Sequence, residues 1–424
     1  MKKWLLPLAC AALLTTPAWA VELTVWVHPD FSPSAGLQSV ADAYKAAYAE
    51  FEKENPDITI RYEVERGGTE ALQQFLTAAS SNTLPDLALL DGFWISRLVE
   101  TGKLQPLNDL WSADSRAHWL PASVDAVTLD GKIYAVPFHT SWRGLFYPVD
   151  EMQQLGYDKP PQNWDELMAF GDKAKAAGKL AIMLPTAGGE VTALHMLSMF
   201  WGLGGKMVDD AGKPVFFEGD NRVALEKVYS LYKELVDKGL MPSDTTLDEG
   251  KIRPYLYTRE AVSIAASSSR VTSMYTDAPW LKGNLGVYNY PLPGGAKAVP
   301  VLTGFTYGIF TDDPEREAAA WKFISFITRP DVIAPLNANA GHLPVIDSVW
   351  DDPFYKDDAL MQQFKDIVQN GGMKPRPSVP IYPVTTSAWS AQMADVISGK
   401  ITPAQAVDNA RDTVMAEYKR MSGN

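Results

Sequence analysis

GKIYAVPFHTSWRGLFYPVD, residues 131–150, is the stretch on which the reading of the fold turns. It contains two apolar runs with the composition of strands, 133–136 and 145–149, interrupted by Phe138-His139-Thr140-Ser141-Trp142-Arg143-Gly144. A strand pair does not need a Trp, an Arg, a His and two hydroxyls in its interruption. A binding site does, because it brings together an aromatic face, a forked cation and neutral hydrogen-bonding groups. The competing reading is a polar hairpin with Trp142 tucked into the core. For any single residue the two readings are balanced; the cluster as a whole favours a site.

Upstream, the chain alternates strand and helix. Residues 23–27 form a buried strand, followed by the loop His28-Pro29-Asp30-Phe31-Ser32-Pro33. Leu37, Val40, Tyr44, Tyr48 and Phe51 recur at three- and four-residue steps and make one helix face, which Asn55-Pro56 ends. Ile58, Ile60, Tyr62 and Val64 alternate with polar residues, as in a half-buried strand. A helix carrying Leu72, Phe75, Leu76 and Ala79 follows, and then a strand over 86–90 that runs into Asp91-Gly92-Phe93-Trp94. Strands and helices in this order predict a parallel sheet with helices on its faces.

Downstream, a second series begins. Asn163 with Glu166 marks a helix start, 180–184 reads as a strand, and 190–201 as an apolar helix ended by Gly202-Leu203-Gly204-Gly205. Asp220 is placed to cap the next helix, and the small-residue strand 261–266 empties into Ser267-Ser268-Ser269-Arg270. Strands are expected over 285–291 and 305–310. A helix begins at Asp313-Pro314-Glu315, and further helices lie near 358–369, 385–397 and 402–421. No internal repeat or low-complexity segment interrupts the pattern.

Composition narrows the function. Lys2 and Lys3, the apolar run 4–14 and Ala18-Trp19-Ala20 form a secretory signal peptide over residues 1–20, with the mature chain expected to start near Val21. Cys10 is the only cysteine and falls within that segment, so disulfide and thiol chemistry are excluded from the mature protein. The sequence has 38 Lys and Arg against 51 Asp and Glu, a formal net charge of −13, and loss of Lys2 and Lys3 makes it more negative still. Such a chain repels nucleic acid and anionic lipid, and neither is expected as a partner. With 424 residues it exceeds what one core holds, which predicts two lobes.

Motifs for catalysis are missing. There is no HExxH, Gly-x-Ser-x-Gly or Walker-type loop, and Met207 stands where a dinucleotide fingerprint needs its third glycine. The five histidines lack metal-ligand spacing, so neither a metal nor a cofactor is expected. What remains is a set of loops rich in aromatic, hydroxyl and charged groups. In open sheets ligands sit beyond the carboxyl ends of the strands. The candidates are His28, Asp30, Phe31, Asp91, Phe138, His139, Ser141, Trp142, Arg143, Trp201, Ser268, Ser269, Arg270, Gly304, Phe305 and His342. A sugar has apolar C–H faces and a rim of hydroxyls, which suits an aromatic platform with carboxylates and Arg around it. Trp142 and Trp201 offer faces; Asp91 and Arg143 offer an acceptor and a donor. Trp201, at the end of an apolar helix, also reads as core, and Asp91 also reads as a helix cap.

Several short stretches then carry a resemblance: Phe51-Glu52-Lys53-Glu54-Asn55-Pro56, Leu84-Pro85-Asp86-Leu87, Gly131-Lys132-Ile133-Tyr134-Ala135-Val136-Pro137, Trp164-Asp165-Glu166-Leu167, Gly341-His342-Leu343-Pro344 and Arg376-Pro377. In this order and spacing, over nearly the whole mature chain, the sequence resembles the family 1 extracellular solute-binding proteins, periplasmic receptors of ABC importers for sugars and polyols. The resemblance implies a two-lobed α/β fold, each lobe a mainly parallel sheet flanked by helices, with the ligand clamped between the lobes by hinge closure. It implies an N-terminal lobe of 21–136 plus 285–340 and a C-terminal lobe of 137–284 plus 341–424, with the first crossing at or near Val136-Pro137. It also implies a membrane permease as partner and a periplasmic monomer. His342 stands where many relatives have Tyr. Arg143 and Arg270, joined by Arg376, exceed what a neutral sugar needs, so an anionic polyol (a uronate or a glycerol-phosphate derivative) is the alternative ligand. A secreted carbohydrate-active enzyme is the third reading.

Overall fold

Alternating apolar residues place Val21–Val27 in the interior of the first sheet, with Leu23, Val25 and Val27 fully buried. The computed structural model describes residues 21–370 and 372–423, so the expected signal peptide lies outside the described residues. Ile58–Val64 runs parallel to the first strand in unbroken register, from Val21 opposite Ile58 to Val27 opposite Val64. Leu87–Asp91 lies parallel on the other side. Phe305–Ile309 joins antiparallel to it, and Val136–Pro137 completes five strands. The helix Gln38–Glu54 buries Val40, Tyr44, Tyr48 and Phe51 of the predicted stripe, whereas Leu37 stands just before the helix and is exposed. It ends where the Asn55 N–H donates to the Phe51 carbonyl, 2.9 Å away, ahead of Pro56. Asp313 caps the helix Pro314–Ile327 by accepting from the Glu315 and Arg316 N–H groups, as the sequence predicts.

The second sheet departs from expectation. Its centre is Arg143–Pro148, antiparallel both to Ile264–Ser267 and to Leu285–Tyr288. The expected strand at 180–184 is reduced to two parallel bridges, Leu180 to Ala261 and Met183 to Ile264. This sheet is therefore mixed rather than mainly parallel. Its central strand enters directly from the other lobe without a preceding helix, and an antiparallel pair needs no crossover helix. Leu285–Tyr288 belongs to this sheet, which corrects the assignment of 285 onward to the N-terminal lobe. Helices Glu190–Gly202, Gly219–Asp237, Tyr382–Ala391 and Pro403–Ser422 pack together on the same lobe.

Val136–Pro137 is still an edge strand of the first sheet, so the first crossing begins one residue later than expected. Three segments run side by side between the lobes. Thr140 and Leu343 exchange backbone hydrogen bonds of 2.9 Å, and the Ser141 N–H donates to the Thr303 carbonyl at 3.2 Å. The Phe138 N–H donates to the Phe305 carbonyl at 2.9 Å. Gly304 permits this approach: its φ is +155°, and a Cβ there would lie 2.0 Å from the His139 carbonyl oxygen. After the third crossing the chain stays briefly with the first lobe, with the Leu120 N–H donating to Val345 and the Asp347 N–H to His118. The C-terminal lobe thus does not begin cleanly at residue 341.

Candidate ligand-binding cleft

The crossing segment alternates like any extended chain, and this alternation divides its residues between cleft and core. His139, Ser141 and Arg143 line a cleft of about 530 Å³ between the lobes, whereas Phe138, Thr140 and Trp142 point away from it and are buried. That volume is of the size that encloses a small organic ligand. The first lobe contributes His28, Asp30, Phe31, Asp91 and Phe93. The second contributes residues 187–192, Asp248, Ser269, Arg270 and Arg376, while Thr303, Gly304, Phe305 and His342 lie at the crossings.

The aromatic floor is imidazole and phenyl rather than indole. His139 and His342 stack with ring centroids 3.7 Å apart and planes 17° from parallel. Phe31 meets both edge-on, and Phe305 packs on His28, His139 and Phe31. Burial holds His342 well below the ordinary histidine range and His139 at about 3, with neighbouring cationic or imidazole groups adding to the effect. Both are therefore neutral at physiological pH. Both ring nitrogens of His139 and Nδ1 of His342 are buried without a protein partner among the described residues. His28 accepts from the Asp30 N–H through Nδ1 at 3.1 Å, so its proton sits on Nε2, 3.9 Å from Glu65 Oε1. Burial pushes the Glu65 carboxyl up to about 7, against the Gly67 N–H that donates to it.

Charge in the cleft is largely compensated. Arg143 donates to Glu249 at 3.2 Å and to the Thr303 hydroxyl at 3.0 Å. The same Glu249 oxygen lies 3.1 Å from His195 Nε2. Burial would raise the Glu249 carboxyl, but Arg143 and His195 outweigh it and hold it at about 2. Arg376 pairs with Asp91 of the first lobe and, at 3.4 Å, with Glu190 of the second. Its guanidinium also lies 4.5 Å from the centroid of the Phe93 ring. Arg270 has no ion pair among the described residues and is exposed at the cleft.

Thirteen of the seventeen candidates line the cleft, and four do not. Trp142 packs on Phe146 and Phe364 and lies flat over Gly144, where a Cβ would come within 2.1 Å of the indole, so it is core and offers no stacking face. Phe138 packs against Tyr307 on the same side. Ser268 is spent on the backbone, its hydroxyl accepting from the Trp142 N–H at 3.0 Å. Trp201 sits at the far end of Glu190–Gly202, roughly 16 Å along the axis from Glu190, and is covered by Lys374. The sequence reading missed Glu190, Asp248 and Thr303. The glycine pair 188–189 preceding a helix was the available signal for Glu190; nothing in sequence marked Thr303, whose role depends on pairing with a segment 162 residues away. Among the described residues no helix is long and apolar enough to cross a membrane, and no group of three or more His, Cys, Asp or Glu could hold a metal ion.

Two α/β lobes tied by three crossing segments, with a ligand-sized cleft between them, define a two-lobed solute receptor. The chain belongs to the bacterial extracellular solute-binding protein family, whose family model matches residues 34–334. It is 27% identical over 379 residues to a binding protein of Brucella abortus, covering 87% of this chain and 88% of that one. It is 23% identical over 395 residues to the sn-glycerol-3-phosphate-binding periplasmic protein UgpB of Shigella dysenteriae, covering 85% of each. Among solved structures, T. maritima MalE3 with maltose bound superposes with a TM-score of 0.79 at 26% identity, over 93% of this chain and 99% of that one. The family is one of solute receptors, which sets aside the reading as a secreted carbohydrate-active enzyme.

Proposed function

We propose that this protein is the periplasmic receptor of an ABC importer for a neutral sugar or sugar-like polyol, which it clamps between its lobes and delivers to a membrane permease. On this reading the segment 1–20 is removed on export, near Ala20, and the mature chain works as a monomer. The observation that carries the choice of ligand is the pairing of the arginines. Arg143 is engaged by Glu249, and Arg376 by Asp91 and Glu190, which leaves Arg270 alone without an ion partner among the described residues. Four carboxylates line the cleft (Asp30, Asp91, Glu190, Asp248) against three guanidiniums. An anion entering this field meets more repulsion than attraction, whereas hydroxyls find acceptors, donors and the aromatic floor.

A second reading, an anionic polyol such as a uronate or a glycerol-phosphate derivative, is favoured by the exposed Arg270 and by the likeness to UgpB. In either case a ligand touching both lobes favours the closed arrangement over the open one and shifts the population towards it. A thermal-shift panel of maltose, D-tagatose, ribitol, D-glucuronate and sn-glycerol 3-phosphate separates the readings. A ligand at 100 times its Kd stabilises by about 2.7 kcal/mol. The expected result is a rise in Tm with a neutral member, recovered unchanged. A larger rise with an anion would replace the neutral reading by the second one.

A further inference from the structure

Arg376 joins two carboxylates from opposite lobes, and the way it does so leaves half of each unused. It donates to Asp91 Oδ1, which also accepts from the Phe93 N–H, and to Glu190 Oε1, which also accepts from the Tyr382 hydroxyl at 2.7 Å. Asp91 Oδ2 and Glu190 Oε2 have no protein partner among the described residues, and both side chains line the cleft. The guanidinium itself is enclosed, its side chain 5% exposed and laid over Phe93. Beside this group, and lining the same cleft, is His139, which is 4% exposed with both ring nitrogens unpartnered. The two His139 nitrogens are buried polar atoms whose hydrogen bonding an incoming group would complete, while the Asp91 and Glu190 side chains are partly open to the cleft, 21% and 18% exposed.

We infer that Arg376 is a positioning residue that orients Asp91 and Glu190 so that one free carboxylate oxygen from each lobe accepts from the ligand. This inference rests on the reading of the cleft as a sugar or polyol site, and it names the chemistry selected at this edge. The ligand presents two donors spanning the lobes, hydroxyls or a hydroxyl and an ammonium, and an acidic group is rejected there. Two carboxylates share one guanidinium, so the group as a whole carries one negative charge, and a ligand anion in place of a donor would face two acceptors with no proton between them. Lysine cannot substitute for Arg376, because a single ammonium lacks the fork that reaches both carboxylates.

The test measures affinities of the mature protein and its Glu190→Gln, Asp91→Asn and Arg376→Lys variants for maltose, ribitol, D-glucosamine, D-glucuronate and sn-glycerol 3-phosphate. Circular dichroism establishes that each variant is folded, and the two amide variants keep the question open if Arg376→Lys fails to fold. For the neutral member that binds best, E190Q and D91N each lose about tenfold in affinity. The ratio of its affinity to that of the anions narrows in both variants, because the repelling charge has gone. A change in shape alone would weaken all members together and leave that ratio unmoved, which overturns the inference. Unchanged affinities in both amide variants overturn it as well. If no neutral or cationic member binds the wild-type protein at all, the sugar or polyol reading falls together with this one.

Discussion

Trp142 buries its indole against Phe146 and Phe364 above a glycine that leaves room for it. Trp142→Ala should therefore cost about 3–5 kcal/mol in urea unfolding, while Trp142→Phe should leave ligand affinity within about twofold of wild type. A large loss of affinity in a stably folded Phe variant would return the indole to the site. Its neighbours show what was legible at this scale. The run from Phe138 to Arg143 reads from sequence as one cluster, and the structure places His139, Ser141 and Arg143 of it along the cleft. The period of two that sends His139, Ser141 and Arg143 to the cleft and Phe138 and Trp142 to the core is equally present in the sequence, but composition alone does not separate the two sets. The histidines make a prediction in pH. His28, His139, His195 and His342 are all lowered, chiefly by burial. Below about 6.5 the unfolded chain takes up protons that the folded one refuses, so stability is present above that pH and falls as pH drops through it. Glu65 acts in the opposite direction: its raised carboxyl favours folding at low pH, and that contribution fades as pH rises towards 7. In denaturant titrations, His139→Gln should flatten the acid limb and Glu65→Gln should raise stability at pH 8. A His139→Gln profile that follows wild type would contradict the assignment of a neutral buried imidazole.

The crossing segments are the elements that couple site and fold. Gly304 admits the His139 carbonyl where any Cβ would collide with it, so Gly304→Ala should destabilise by more than about 3 kcal/mol or fail to fold, as read by denaturation. An alanine variant of wild-type stability would mean that the three segments do not run as described. Glu249 begins the helix Glu249–Tyr257 and anchors Arg143 from behind the cleft. Its carboxyl is held at about 2, so its contribution to stability is present above the ordinary carboxylate range and is lost as pH falls through about 2. Glu249→Gln should cost about 3–5 kcal/mol at pH 7, because it leaves Arg143 without its ion partner. Helices were legible at this scale from apolar steps and caps, with Asn163 and Asp313 both accepting from the backbone as expected. The second sheet was not. Runs such as 180–184 and 285–291 carry strand composition, but whether such a run pairs, and in which lobe, depends on Arg143–Pro148, which arrives from the other lobe.

At the scale of the molecule, among the described residues one ion pair and one cation–π contact tie the lobes across the cleft, both made by Arg376 to the first lobe through Asp91 and Phe93. Two lobes were predictable from length, and a cleft between them from the resemblance of the short motifs; the segments exchanged between the lobes had to be read from the pairing of strands. On the proposed reading, a neutral polyhydroxylated ligand completes this junction. The crystal structure of the mature protein grown with the neutral sugar or polyol that gives the largest thermal shift tests it most directly. The expected result is density for that ligand between the lobes, over the imidazole pair of His139 and His342, with hydroxyls within hydrogen-bond distance of Asp91 and Glu190. Density for the ligand elsewhere on the protein, or a ligand in the cleft held by an acidic group on Arg143 and Arg376 with their carboxylate partners displaced, would contradict it.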